Sequence, residues 1–423
     1  MSSRTAQRPL PRRAPRLSAA LAKPLTWPPA LVLVGLLLGV VAATNRWMSW
    51  GAGFHYARAD DERAYLAIAN AFPHLPAERI ADQHAQRWPI HWLIGGVADL
   101  LGAKPEIVYR YAAILLALAV CLTLAAVLMR LRTSTATALL CLATFALNPY
   151  ALRYYGLAPG YLDDLGLELG IAVTLLGLVA RRLPLVLAGL LAGVLCRQTM
   201  LPVVPVVALW VALAPDWRAA SGSVRIGRAV AVLMLPIGAY LAIKGAAADF
   251  SRPGIPFSRL TIVDAVTGLP DTASDLVNHF AHVAIALLVI AALLAATLVR
   301  TELRDLPSAF WGSLAIGLVV VAQAAALNPD PVFNDYSSSN EPRLTAMSLG
   351  ALVVTLAAAR RATAPALALL ALALLTIGTF HQDLTVLSTG SAGVTLALQA
   401  AVAGALAVAV WLSDRRPASR RPA

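Results

Sequence analysis

The chain is built from apolar runs of about 15 to 22 residues separated by short polar stretches, and this repetition limits its fold more than any other feature. Hydrocarbon offers no hydrogen-bond partners, so a segment crossing it must satisfy its own backbone, and runs of this length read as helices. Hydrophobic residues make up 59% of the chain and charged ones 13%, against roughly 25% charged in soluble domains. No soluble core could hide that much apolar surface. The expected fold is therefore all-α, a polytopic transmembrane helical bundle of about twelve helices within a range of about 10 to 13.

The first span is expected near 28–46, followed by 107–129, 134–150, 164–180, 183–196, 199–214, 228–245, 279–299, 308–326, 344–359, 363–379 and 394–412. The run 89–102, which carries His91 and Asp99, is shorter than the roughly 17 residues needed to cross and reads as an interfacial or re-entrant helix. Residues 183–214 are long for one span and short for two, with Arg197-Gln198 in the middle. Residues 1–26 read as a disordered basic cytoplasmic tail, 27–412 as one membrane domain and 413–423 as a second basic cytoplasmic tail. Val41-Ala42-Ala43 resembles a small-residue cleavage site, but a retained first helix is the favoured reading.

Loop charge tests this parity. The segments expected inside hold 21 of the 34 Lys and Arg and four acids, whereas the opposite side holds 13 basic residues, 18 acids and all seven histidines. Lys and Arg stay on the cytoplasmic side of short loops, so both termini are expected in the cytoplasm. The net charge of +12 is then topological, and the expected partners are membrane lipids and not nucleic acid. Cys121, Cys141 and Cys196 all fall in apolar runs and offer neither a disulfide framework nor metal spacing. Richness in Ala, Arg and Leu fits a high-GC bacterial source and hence a bacterial inner membrane.

Chemistry concentrates in the outward loops. Asp60-Asp61-Glu62 places three carboxylates in a row, an arrangement that suits a divalent cation such as Mg or Mn, a retained proton for general-base work, or the start of the helix holding Tyr65. The second loop offers Asp163 and Asp164, with Glu168 four residues beyond Asp164 on one helix face, and acids at membrane depth are costly unless they face a cavity or a partner. Its tyrosines 154, 155 and 161 are expected in an interfacial aromatic belt. Arg197 must reach the surface, meet an acid such as Glu168, or bind an anion, for which a lipid-linked phosphate is a natural match. Glu341-Pro342-Arg343 poses the same choice at the next helix start. His279 and His282, three residues apart, are the only histidines with tight helical spacing.

The order of these features resembles the GT-C superfamily of membrane glycosyltransferases, including its mannosyl- and aminoarabinose-transferases. The similarity runs over about 30–215: a first helix, an early acidic motif at Asp60, Asp61 and Glu62, an aromatic and proline segment at Gln86-Arg87-Trp88-Pro89-Ile90-His91-Trp92, Leu101-Gly102 before Tyr109-Arg110, an acid in the second loop, and Ala188-Gly189 and Ala192-Gly193 before Cys196-Arg197-Gln198-Thr199. The resemblance implies a large first extracytoplasmic loop with membrane-surface helices. It also implies inverting transfer of a sugar from a polyprenyl-phosphate donor to a lipid-linked or small glycan acceptor. Asp60 or Asp61 would be the base, and Glu62, Tyr65, Arg87, Asp163, Asp164, Glu168, Arg197, Glu341 and Arg343 are the candidate substrate-binding residues. The competing expectation is a polytopic transporter or lipid flippase, against which the halves show no internal repeat.

Overall fold

A computed structural model describes residues 16–45, 59–217, 221–253, 273–298, 306–327, 340–359, 364–377 and 392–414. The chain is mainly helical. It opens with α1 (Arg16–Leu21), α2 (Trp27–Asn45), α3 (Ala59–Asn70), α4 (Asp82–Ala85), α5 (Trp88–Leu101), α6 (Pro105–Arg130) and α7 (Thr135–Ala146). A π turn at Pro149–Arg153 leads into the short α8 (Tyr154–Leu157), then α9 (Leu162–Ala180), α10 (Leu183–Cys196), α11 (Val203–Leu213) and α12 (Gly222–Ala247). The remaining helices are α13 (Ala273–Leu298), α14 (Ser308–Leu327), α15 (Asn340–Ala346), α16 (Leu349–Ala358), α17 (Ala364–Thr376) and α18 (Ala392–Asp414).

Three helices among the described residues are long and apolar enough to cross a membrane: Pro105–Arg130, Gly222–Ala247 and Ser308–Ala325. A bent pair, Thr135–Ala146 with Tyr150–Gly156, would make a fourth. Several expected spans are shorter because the helix breaks where the sequence turns polar or meets proline. The expected helix 134–150 stops before Asn148-Pro149 and the expected 344–359 segment is divided between α15 and α16, whereas α10 keeps the expected bounds 183–196. Residues 183–214 are thus two helices, joined by a 3-10 turn at Gln198–Met200.

The expectation of a disordered tail over 1–26 is corrected in its second part. Arg16–Leu21 is helical, Leu25 N–H donates to the Thr133 carbonyl at 2.9 Å, and Leu25 is buried. An apolar side chain in the core and a backbone bond to the α6–α7 turn anchor this stretch.

The α9–α10 hairpin positions the site. Arg181 closes α9 in the left-handed conformation (φ 58°), and Pro184 in the first turn starts α10, so the two helices run back along each other. Small residues let them touch: a Cβ on Gly170 would lie 2.6 Å from Gly193 Cα and 2.8 Å from the Gly189 carbonyl oxygen. At the far end a Cβ on Gly166 would collide with Cys196 Sγ. This register brings Arg197, just past the end of α10, to the first turn of α9, where Asp163 and Asp164 stand.

A second contact joins distant parts of the chain. β1 (Ile80–Ala81) pairs in parallel with β2 (Ser251–Arg252), over a small core of Ile68, Ile80, Ala85, Ala247 and Phe250. Trp88 Nε1 donates to the Ile243 carbonyl at 3.3 Å and Tyr240 Oη to Gln86 Oε1 at 3.0 Å. Both sequence neighbours of Arg87 are therefore tied to α12.

Candidate functional site

Asp60 and Asp61 fall in the first turn of α3, where negative charge complements the helix dipole; their side chains lie outside the described residues. From there the buried face of α3 carries Glu62, Tyr65 and Ala69, the spacing of a helix packed on one side. Tyr65 joins several partners. Its ring stacks on His91 at 3.9 Å between centroids and 12° between planes, its hydroxyl accepts from Arg87 Nη1 at 2.6 Å, and His84 Nδ1 lies 3.3 Å from the same oxygen.

His91 is fully buried. Its Nδ1 lies 2.8 Å from the Tyr109 hydroxyl, which donates to the Tyr65 carbonyl at 3.2 Å. A phenol has one proton to give, so this network assigns the imidazole proton to Nδ1 and leaves Nε2 as an acceptor, without a partner among the described residues. Burial pushes His91 down to about 3 despite the raising influence of Asp163, so the ring is neutral at physiological pH.

Arg87, at the start of α5, also ion-pairs with Asp163 at 3.0 Å. Arg197 contacts Asp164 directly and Asp163 at 3.5 Å, while Arg343, from α15, places Nε 3.6 Å from Asp164 Oδ2 and its guanidinium 4.8 Å from the centre of the Tyr161 ring. Both aspartates are completely inaccessible. Three guanidiniums therefore meet two carboxylates in direct ion pairs, with the carboxylates of Glu62 and Glu168 buried nearby. Charges this deep are retained only when paired, and cation–π contact with Tyr161 adds to the pairing. Burial pulls Arg197 down to about 9, Arg87 and Arg343 adding to the fall and Asp163 opposing it, so it stays charged at neutral pH. Arg197 Nε has no hydrogen-bond partner among the described residues and remains available as a donor.

Glu168 was one expected partner of Arg197, beside the surface and an anion, but the hairpin brings the arginine to Asp164 and Asp163. Glu168, one turn deeper in α9, is buried with both carboxylate oxygens unpartnered among the described residues. Tyr155 is buried as well, its hydroxyl unpartnered, and burial followed by the nearby charge of Glu168 pushes its phenol well above the ordinary range, with Arg343 and Arg197 pulling the other way. Tyr155 and Tyr161 thus belong to the interior and not to an interfacial belt, a correction that follows from the irregular 149–161 segment packing among α2, α3, α6 and α7.

The cluster therefore unites Glu62, Tyr65, Arg87, Asp163, Asp164, Arg197 and Arg343, with Glu168 alongside. Glu341 is in α15, but its side chain lies outside the described residues, as does that of His279, while His282 is buried. His91, Tyr109 and Tyr155 have structural roles that spacing did not reveal; the legible signal was Tyr109-Arg110 at a helix start and Arg87 one turn before His91.

A divalent cation does not fit the described donors. Asp163 and Asp164 already neutralise arginines, and no group of three His, Cys, Asp or Glu among the described residues is arranged to hold a metal. A cavity beside the cluster is lined by Leu167, Thr199, Val320, Gln323, Leu344 and Met347 among others, and Thr199 Oγ1 and Gln323 Nε2 are buried without partners among the described residues. The chain matches no protein-family profile, no characterised protein and no solved structure.

Proposed function

We propose that the chain is a polytopic protein of a bacterial inner membrane, both termini cytoplasmic, that transfers a sugar from a polyprenyl-phosphate donor to a lipid-borne or small acceptor on the extracytoplasmic side. The observation that carries this reading is the convergence of three buried arginines, Arg87, Arg197 and Arg343, on Asp163 and Asp164, at a break between apolar helices, with Arg197 Nε left as a free donor among the described residues. Guanidinium forks match phosphate oxygens, and they are worth more where water is scarce. The order of sequence features and the loop charge asymmetry support the same reading.

In the proposed mechanism the acceptor hydroxyl attacks the anomeric carbon. Its oxygen forms the new glycosidic bond, the bond from the anomeric carbon to the phosphate oxygen breaks, and the configuration inverts. The hydroxyl proton goes to Asp60 or Asp61 as base, and the leaving phosphate keeps the electron pair beside Arg197 and Arg343. Asp61 is the better candidate because it stands four residues before Tyr65 on α3, the spacing that shares a helix face.

The test compares envelope glycans, by mass spectrometry, between a deletion strain and strains complemented with wild type, Asp60→Asn or Asp61→Asn. Loss of one defined sugar, restored by wild type and not by Asp61→Asn, is expected. An unchanged glycan profile would move the reading to a transporter or flippase, for which the helix break at Arg197 is the favouring observation, since broken helices build transporter binding sites.

A further inference from the structure

Glu168 is the acid of this region that neither the fold nor the proposed mechanism uses. Asp163 and Asp164 are compensated by arginines; Glu168 has none of these partners. Its carboxylate is 4% exposed and both oxygens lack a hydrogen-bond partner among the described residues. A buried carboxylate left in this state is costly, and a replacement by Leu would pack as well in an apolar helix. The group beside it is also unsatisfied: Tyr155, 1% exposed, has an unpartnered hydroxyl and feels the charges of Glu168, Arg343 and Arg197.

Resting on the transferase reading, we propose that Glu168 and Tyr155 form the sugar-recognition part of the site, the Glu168 carboxylate accepting from two neighbouring hydroxyls of the transferred sugar and Tyr155 donating to a third oxygen. The donor inventory fits this division. A carboxylate presents two acceptors side by side, matching a vicinal diol, and the phenol supplies the proton that a carboxylate lacks. Position fits as well: Glu168 lies one helical turn beyond Asp164 on the same face of α9, so a phosphate held by Arg197 and Arg343 at the helix start would direct the attached sugar toward it. Sites built to hydrogen-bond hydroxyls discriminate strongly, because the wrong ligand leaves their buried groups unpaired.

The test uses the full chain in detergent and measures binding of farnesyl phosphate, of farnesyl-phosphoryl hexoses and pentoses, and of their deoxy and amino analogues. At least one sugar is expected to strengthen binding over farnesyl phosphate by about tenfold or more. Glu168→Gln and Tyr155→Phe should each erase most of that increment, as should deleting one hydroxyl of the diol, while affinity for farnesyl phosphate itself stays at the wild-type value. An increment that survives in both variants, or no increment with any sugar, overturns the proposal. An increment seen with amino sugars alone also overturns it, since Glu168 would then be a counter-ion to an ammonium group. Failure of the wild type to bind farnesyl phosphate is a separate result that overturns the transferase reading and this inference with it.

Discussion

The α9–α10 hairpin and α12 are written in the same alphabet of Leu, Val, Ala and Gly, yet glycine does opposite things in them. In the hairpin Gly166, Gly170, Gly177 and Gly189 each sit where a Cβ would strike the facing helix, and one on Gly193 would strike Met200. In α12 Gly222, Gly227, Gly238 and Gly245 have nothing within 4 Å, and Ile226, Met234, Leu235 and Leu241 are exposed. Close backbone approach is the usual way to pack helices in lipid, where no hydrophobic force drives them together. The hairpin uses it to hold opposite charges from two helix ends in one place, whereas α12 leaves most of its surface exposed and reaches the residues flanking Arg87 from its C-terminal half.

Removing a charge should separate the two regions most sharply. Asp164→Ala leaves Arg197 and Arg343 without their shared carboxylate in a buried place, a loss of about 3–5 kcal/mol, while Lys244→Ala on the exposed side of α12 should change stability by less than about 0.5 kcal/mol. Thermal unfolding of both variants in the same detergent checks this. Equal, small effects would mean that the ion-paired cluster does not hold the hairpin together.

Acid should also act unevenly. His91 is held near 3, below its ordinary value of 6.5, so the native state keeps it neutral while the unfolded chain takes up a proton. Its stabilising contribution is full above about 6.5 and falls as pH drops toward 3, by at most about 1.4 kcal/mol per pH unit. Protection against hydrogen exchange, taken relative to the intrinsic rate at each pH, should fall in α3 and α5 between pH 7.5 and 5 before it does in α12, and His91→Gln should flatten that pH dependence. Uniform loss of protection along the chain would assign the acid response to other groups.

Backbone contact makes a third distinction. Gly170→Ala should destabilise by about 1–3 kcal/mol through overpacking against Gly193 and Gly189. Gly238→Ala has open space and a helical backbone, so it should gain up to about 1 kcal/mol from helix propensity. Opposite signs in one unfolding assay are the expected outcome; a shared sign would show that the hairpin can spread to take a methyl group.

Much of this was legible in the sequence wherever punctuation is local. Pro105 and Pro184 open α6 and α10 in their first turns, Gly102 closes α5, and the acids Asp163 and Asp164 at the start of an apolar run announced a partner. The pairing itself was not legible. Spacing of four residues linked Asp164 to Glu168 on one helix and left the surface, an acid such as Glu168 and an anion all open for Arg197; which acid it meets depends on how far α10 slides along α9, and that is set by glycine contacts between the helices. Tyr155 and His91 were assigned to the membrane surface because a single window cannot tell an aromatic at the interface from one packed among other helices. Span length failed where the break is not marked by a charge: an apolar run marks residues that avoid water, and it reported the break at Arg197 but neither the early stop before Asn148-Pro149 nor the division between α15 and α16.

The smallest expected effect tests whether α12 belongs to the site at all. Tyr240→Phe removes only the hydroxyl that donates to Gln86, and a single hydrogen bond of this kind contributes about 0.5–1.5 kcal/mol. Gln86 is in turn bonded to Asp82 at 2.7 Å, and Trp88 holds the Ile243 carbonyl on the other side of Arg87, so the loss should be felt by a residue the tyrosine never touches. A double-mutant cycle of Tyr240→Phe with Arg87→Lys measures this: coupling of about 0.5 kcal/mol or more would make α12 a support for the arginine that grips Asp163. Additive effects would leave α12 as a lipid-facing helix whose end merely closes over the cluster, and the contrast with the hairpin would then be complete.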